Sequence, residues 1–442
     1  MFRQPSHRCS TVPAATFLTL AACLFAGGLG LAGCAATPEA KTSAKAAPQG
    51  MYAFWPKYPD EPRIQFVRSI SVSTDVAPSQ ASGLEKLVFG KENVNDVAAV
   101  YKPYGVDCRG GKIYVCDIRS ACVTVFDIAK KQTRLVGVSG VNRLAHPVDV
   151  AVADDGMIYV ADNEQGSVLV FDASERYLRP IGKSKAKPVS VAVHGEKLYV
   201  CDMAAQVVEV FNRKDGTPIG TIGSVGDGDG QFRLPLCVDV DKAGNIYVVD
   251  MMRCRIQKFS PEGQYISGLG QMGDYAGAFV RPKHMAVDSD GILYVVDAAF
   301  QNVQMFDDQA RLLMHFGAAG TFPGSMDMPV GVCVTDEGVD LFKDEVHPGF
   351  KPKRLVIVTN QFGPSKVSIY AMGTRVESYS LADLSSSMVD LPTGATASTG
   401  PRDLQMSADD ESTLGPEPGT EPAEEGEEEA ADEAGGGSAG PK

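Results

Sequence analysis

Leu236-Cys237-Val238-Asp239-Val240-Asp241, leading to Gly244-Asn245-Ile246-Tyr247-Val248-Val249-Asp250, is the stretch whose reading decides the fold. A proline, Pro235, stands before it, and Phe259 follows the last aspartate by nine residues. Two short apolar strands joined by a polar glycine turn predict a hairpin. The same frame recurs along the chain. Its prolines are Pro103, Pro147, Pro188, Pro235, Pro282 and Pro329, spaced 44, 41, 47, 47 and 47. Its aspartates are Asp117, Asp162, Asp202, Asp250 and Asp297, with Asn360 in the sixth place. Phe126, Phe171, Phe211, Phe259 and Phe306 complete five copies, and Tyr370 the sixth. Three linkers also share a glycine five residues before the proline: Gly230, Gly277 and Gly324.

Each copy reads as four antiparallel strands. In the second, Val148–Val152 alternates, Asp154-Asp155-Gly156 turns, and Met157–Ala161 and Val168–Phe171 follow, with a weaker strand ending near Gly182. One such sheet cannot bury both faces, so six of them must stack around an axis. The expected fold is therefore all-β, a six-bladed β-propeller with blade cores near 103–146, 147–187, 188–234, 235–281, 282–328 and 329–380. The strand-like stretch Arg63–Ser71 is expected to pair into the last blade and close the ring. The only helical candidate is Ser82–Phe89.

WD repeats do not fit, because the only tryptophan is Trp55, outside the repeats. The repeats resemble the NHL family, with units of the form Pro-x-Gly-Val-Ala-Val-Asp, Gly-Asn-Ile-Tyr-Val-Ala-Asp and Val-x-Val-Phe. The resemblance covers residues 103 to about 380, and the segment from Trp55-Pro56 to Ile70 is similar to the leader of bacterial NHL lipoproteins. The family also includes peptide-amidating lyases, in which three histidines from different blades hold zinc. This chain offers only His284 and His146 near the axis, with His194, His315 and His347 placed elsewhere, so no such zinc site and no other cofactor is expected.

The N-terminus predicts export. Arg3 and Arg8 precede a stretch from Cys9 to Pro38 without charge, containing the apolar run Phe17–Leu31. Leu31-Ala32-Gly33-Cys34 resembles the bacterial lipobox, which implies a lipid on Cys34 and a membrane anchor through it. Ala35, where a retained lipoprotein has aspartate, implies the outer membrane. The expected order is a lipoprotein signal peptide over 1–33, a flexible tether over 34–60, the propeller over 61–384, and a disordered acidic tail over 385–442. Of the net −14, the stretch Pro401–Lys442 carries −11, with 13 acidic residues against two basic. The remainder is nearly neutral and lacks the basic surplus that nucleic acid demands.

Six equivalent aspartate slots read as a structural device, each carboxylate accepting from backbone N–H groups of the following turn. The run Gly226-Asp227-Gly228-Asp229-Gly230 lacks the bidentate glutamate of a calcium loop and sits where a linker must turn. Two residues after each proline, one orientation is expected around the axis: Gly105, Asp149, Ser190, Cys237, His284 and Gly331. Asp149, Ser190, Cys237 and His284 form the candidate axial channel, read as a solvated polar funnel, with metal binding or acid–base chemistry as the alternative. Arg119, Met203, Met251, Met252, Arg253 and Phe300 follow the repeated aspartates and form a candidate partner face. The insertion Asp340–Pro352, with Phe342 and Phe350, is expected on the opposite face. The seven propeller cysteines read as buried free thiols, and the absence of CxxCH excludes covalent haem. The chain thus reads as an envelope-anchored binding or scaffolding propeller for a protein or peptide partner. The alternative is an axial-site enzyme, a lyase or hydrolase related to the amidating lyases.

Overall fold

Runs such as Ile246-Tyr247-Val248-Val249 and Val123-Thr124-Val125-Phe126 carry side chains suited to a pleated surface covered on both faces, and each forms a fully buried strand. The computed structural model describes residues 52–77, 98–140, 142–182 and 186–387. The chain divides into residues 1–46 and 47–442, and all described residues lie in the second unit. The first blade comprises Pro103–Arg109, Lys112–Asp117, Cys122–Asp127 and Gln132–Val136, paired in sequence order. Four further four-stranded blades begin at Pro147–Val152, Pro188–His194, Pro235–Val240 and Pro282–Val287. Each first turn runs tightly enough to need a left-handed residue, as at Gly156, Gly244 and Gly291, with φ of 81°, 85° and 83°.

The sixth blade has five strands. Pro329–Thr335, Phe350–Asn360 and Val367–Arg375 come from the repeat, and Ile64–Ile70 pairs antiparallel along Val367–Arg375 as the fourth. Phe54–Trp55 adds a fifth, outermost strand. The early segment therefore closes the ring as expected. It begins sooner than the sequence suggests: Ala53, Phe54 and Trp55 are buried, so residues 52–60 belong to the folded body rather than to a tether. The physical reason is aromatic packing, since Trp55 meets Phe316 of blade five and Tyr370 of blade six. At the other end, the short helix Leu381–Ser385 buries Leu384, and the Ser387 carbonyl accepts from the Tyr52 N–H, so the body runs through 387 rather than 384. Cys34, the expected signal peptide, the candidate helix at 82–89 and the acidic stretch beyond 387 lie outside the described residues.

The core is a set of interblade layers. One apolar cluster joins blades one and two, another two and three, and so on around to the cluster between six and one. The repeated aromatics are their keystones: Phe126, Phe171, Phe211, Phe259, Phe306 and Tyr370 are all buried, each stabilising by roughly 2–3 kcal/mol through burial. Tyr370 satisfies its hydroxyl by donating to the Gly324 carbonyl at 3.0 Å. The insertion of blade six departs from expectation. Phe342 and Phe350 are 2% and 3% exposed, because Phe342 fills the layer against blade one and Phe350 packs on Phe54. The fully buried Arg354 fastens the same region through Asp288, Asp290 and Asp336.

Candidate functional site

The repeated aspartates are joints, as their sixfold recurrence suggests. Asp117 accepts from the backbone of Tyr101, Lys102, Arg119 and Ser120, at 2.7–3.2 Å. Asp162, Asp202 and Asp297 likewise take N–H groups from the segment before their proline and from the turn that follows them. Asp250 takes those of Arg233 and Leu234. Asn360 does the same for Asp327. A second bond completes the joint in all six blades. The residue after each aspartate donates its N–H to the carbonyl before the proline: Ile118 to Lys102, Asn163 to His146, Met203 to Lys187, Met251 to Leu234, Ala298 to Arg281 and Gln361 to Met328. Burial alone pushes the Asp250 and Asp297 carboxyls up against these bonds.

At the axis, each proline-led strand is the edge of its sheet, so alternate backbone N–H groups along it have no strand partner. The side chains two positions past the proline meet that need on the neighbouring blade. Asp149 accepts from Val191 at 3.0 Å, Ser190 from Val238 at 3.2 Å, Cys237 from Met285 at 3.4 Å, and His284 Nδ1 from Val332 at 3.5 Å. Gly105 and Gly331 occupy the two places where a side chain does not fit: a Cβ on Gly331 would stand 2.4 Å from the Tyr104 carbonyl oxygen. Thr359 reaches into that gap and donates to Tyr104.

A second tier lies two residues further along. Asp107 accepts from Val152 and Asp239 from Val287, at 2.7 and 2.8 Å. Desolvation raises Asp107 to about 7 and Asp239 to about 6. His284 extends to Asp149 on the opposite side of the ring, Nε2 to Oδ1 being 3.6 Å. Burial pulls its pKa down, and Cys237 and Asp149 together overcome that pull and hold it well above the ordinary value.

The four candidate axial residues are therefore brought together, yet not as a funnel. Asp149, Ser190 and Cys237 are buried, and the His284–Asp149 pair crosses the axis like a plug. The solvated channel of the sequence reading is corrected on this point. Each of these groups is engaged in stitching one inner strand to the next.

The end of the propeller that bears the linkers and the post-aspartate turns differs in character. Met252, Arg253 and Arg119 are exposed there, whereas Met203, Met251 and Phe300 are half-buried. Arg119 lies over the Tyr101 ring, and Arg253 is 3.5 Å from Asp227. Tyr101, Val225, Met252, Met272, Tyr275 and Phe362 are large exposed apolar groups at this end, while Tyr58 and Leu341 mark the opposite end. The glycine-aspartate run of this face pairs Asp227 with Arg233, which drops the Asp227 carboxyl to about 2.

Two groupings escaped sequence reasoning. One is the Arg354 cage. The other joins Asp107, Cys108 and Cys333, whose ligating atoms all lie within 4.8 Å of one another. Its signal was present: both cysteines stand four or five residues past the proline, in the first and last blades, which are neighbours on a closed ring.

Comparison with known proteins agrees with this geometry. The family described as NHL repeat matches residues 144–171, and one described as 6-bladed beta-propeller matches residues 186–260. The fold is a six-bladed β-propeller. More particularly, its blades are built on the NHL repeat. No curated protein matches. Similar solved structures include a streptogramin B lyase, at 10% identity and a TM-score of 0.44, covering 62% of this chain and 84% of that one. A protein of unknown function from Bacteroides thetaiotaomicron has 17% identity and a TM-score of 0.49, covering 62% and 70%. Regucalcin, a calcium-binding protein from Agrobacterium tumefaciens, has 9% identity and a TM-score of 0.42, covering 62% and 92%. At these values the likeness carries no argument about ligand or reaction.

Proposed function

We propose that this chain is an envelope-anchored binding propeller that presents its linker-bearing end to a protein or peptide partner, with Cys34 as the point of lipid attachment. One observation carries the reading: exposed large apolar groups gather at that end, among them Met272 at 71% and Met252 at 55% exposure, while the axial polar groups are engaged in interblade bonds. Interfaces favour methionine, aromatic and arginine side chains for their contact area. The alternative, an axial lyase or hydrolase, requires a path to Cys237 and Asp149, which are buried beneath the ring.

The test is crosslinking and recovery of partners from envelopes bearing the protein. Changing Met251 and Met252 together to Glu is expected to reduce recovery at least tenfold, since truncating key interface groups costs about 2 kcal/mol or more. Leu341→Glu at the opposite end is the control. Loss of the partner with Leu341→Glu and retention with the methionine pair would move the interface to the other end.

A further inference from the structure

The repeat series closes on itself where the first blade meets the last. Inner strands Pro103–Arg109 and Pro329–Thr335 lie side by side there. Cys108 on one faces Cys333 on the other, with Sγ to Sγ at 2.7 Å and both side chains buried. This spacing is too close for two thiols at rest, whose sulfur atoms keep van der Waals distance, and it needs little movement for a covalent bond. A dimple with room for about one water opens beside the pair, lined by Cys108, Leu341, Phe342, Ile113 and Ile357. Cys108 borders it and Cys333 does not, so an external reagent meets Cys108 first. The other described cysteines have no comparable thiol partner: Cys116 stands opposite Val123, and Cys122 opposite Asp117.

We propose that Cys108 and Cys333 are a redox staple, oxidised to a disulfide that fastens blade one to blade six. The oxidant is an external disulfide, reacting by two exchanges. In the first, the Cys108 sulfur attacks one sulfur of the external disulfide, forming a mixed disulfide and releasing one thiol that carries off the proton of Cys108. In the second, Cys333 attacks the Cys108 sulfur, the Cys108–Cys333 bond forms, and the second external thiol leaves with the proton of Cys333. Two protein thiols are oxidised and one external disulfide is reduced. Burial, together with the hydrogen bond to Cys108, holds the Cys333 thiol well up, so the second exchange is the slow one and quickens with pH.

A disulfide here closes most of the propeller into one loop, because the two cysteines are 225 residues apart. Chain-entropy reasoning gives such a loop a rise in Tm of about 5 °C or more. The rival chemistry is a metal held by Asp107, Cys108 and Cys333. Asp107 already accepts from Val152 and Cys108, which leaves its carboxylate committed.

The test uses the full purified chain, held with oxidised glutathione, then alkylated under denaturing conditions and mapped without reduction. The expected result is a linked peptide pair containing Cys108 and Cys333, two hydrogens lighter than the free pair, with the other propeller cysteines alkylated. Reduction is expected to lower Tm, and a Cys333→Ser chain is expected to show no change of Tm with oxidant. Alkylation of both cysteines after oxidation overturns the proposal, as does pairing of either with a different thiol. Stoichiometric zinc retained through dialysis, with both thiols protected from alkylation, overturns it in favour of a metal site.

Discussion

Asp117 holds four backbone N–H groups and the Ser120 hydroxyl with one carboxylate, so its loss strands several buried donors at once. Asp117→Ala is expected to destabilise the propeller by about 3 kcal/mol. Asp117→Asn is expected to cost less than half as much, because Asn360 fills the same slot in blade six with an amide oxygen accepting from Asp327. Urea denaturation of the two variants measures the difference. The axial groups set a pH dependence. Asp107 and Asp239, raised by burial, and His284, raised by Cys237 and Asp149 against burial, all hold a proton more tightly folded than unfolded. The aspartates' contribution is complete below their unfolded values near 4 and disappears as pH rises through about 6–7, while that of His284 persists until its own raised value is passed. Tm is therefore expected to fall by about 5 °C between pH 5.5 and 8.5. Replacing Asp107 and Asp239 by Asn is expected to flatten the profile, and an unchanged slope would place the titration elsewhere. For Cys34, replacement by Ser is expected to abolish acyl-chain labelling and release the protein from membranes. A variant still labelled and sedimenting would remove the anchor from the proposal.

Among elements, the strand Ile64–Ile70 carries the ring closure. It covers the edge of Val367–Arg375 and buries Ile64 and Ile70 in the layers shared with blades five and one. Deleting residues 52–72 leaves an open edge and is expected to cost several kcal/mol. Deleting 388–442 is expected to leave Tm unchanged, and equal losses in the two truncations would contradict the closure. Strand placement was legible because proline, glycine turn, aspartate and aromatic recur at fixed spacing. The outermost strand was not, since Phe54–Trp55 is only two residues long and has no repeat to mark it. Phe342 and Phe350 misled for a related reason: charged neighbours gave the insertion a surface look, while the gap beside blade one takes Phe342 and the Phe54 ring takes Phe350.

Over the whole molecule, six-blade closure followed from counting repeats, and the positions of the axial residues followed from the proline frame. Their use did not. Asp149, Ser190, Cys237 and His284 resemble a reactive set on paper. Only the stacking of blades reveals that they serve the edge N–H groups of a neighbouring inner strand, and no single blade's sequence displays that need. The juxtaposition of Cys108 with Cys333 was hidden similarly, because it joins the two ends of the repeat series.

Closure by an early strand also dictates an order of folding events. Ile64–Ile70 precedes every blade in the chain, yet its partner Val367–Arg375 lies near the end of the folded body. Until that partner is in place, Ile64 and its aromatic neighbours stay uncovered. Five blades can stack meanwhile, each on the one before, so the final step is a single docking that completes blade six and seals both its layers together. Trp55 is the only tryptophan in the chain and lies in that last-formed place, 7% exposed against Phe316 and Tyr370. Its emission is consequently a built-in clock for ring closure, silent on the stacking of blades one to five and shifting to the blue only when the circle is complete.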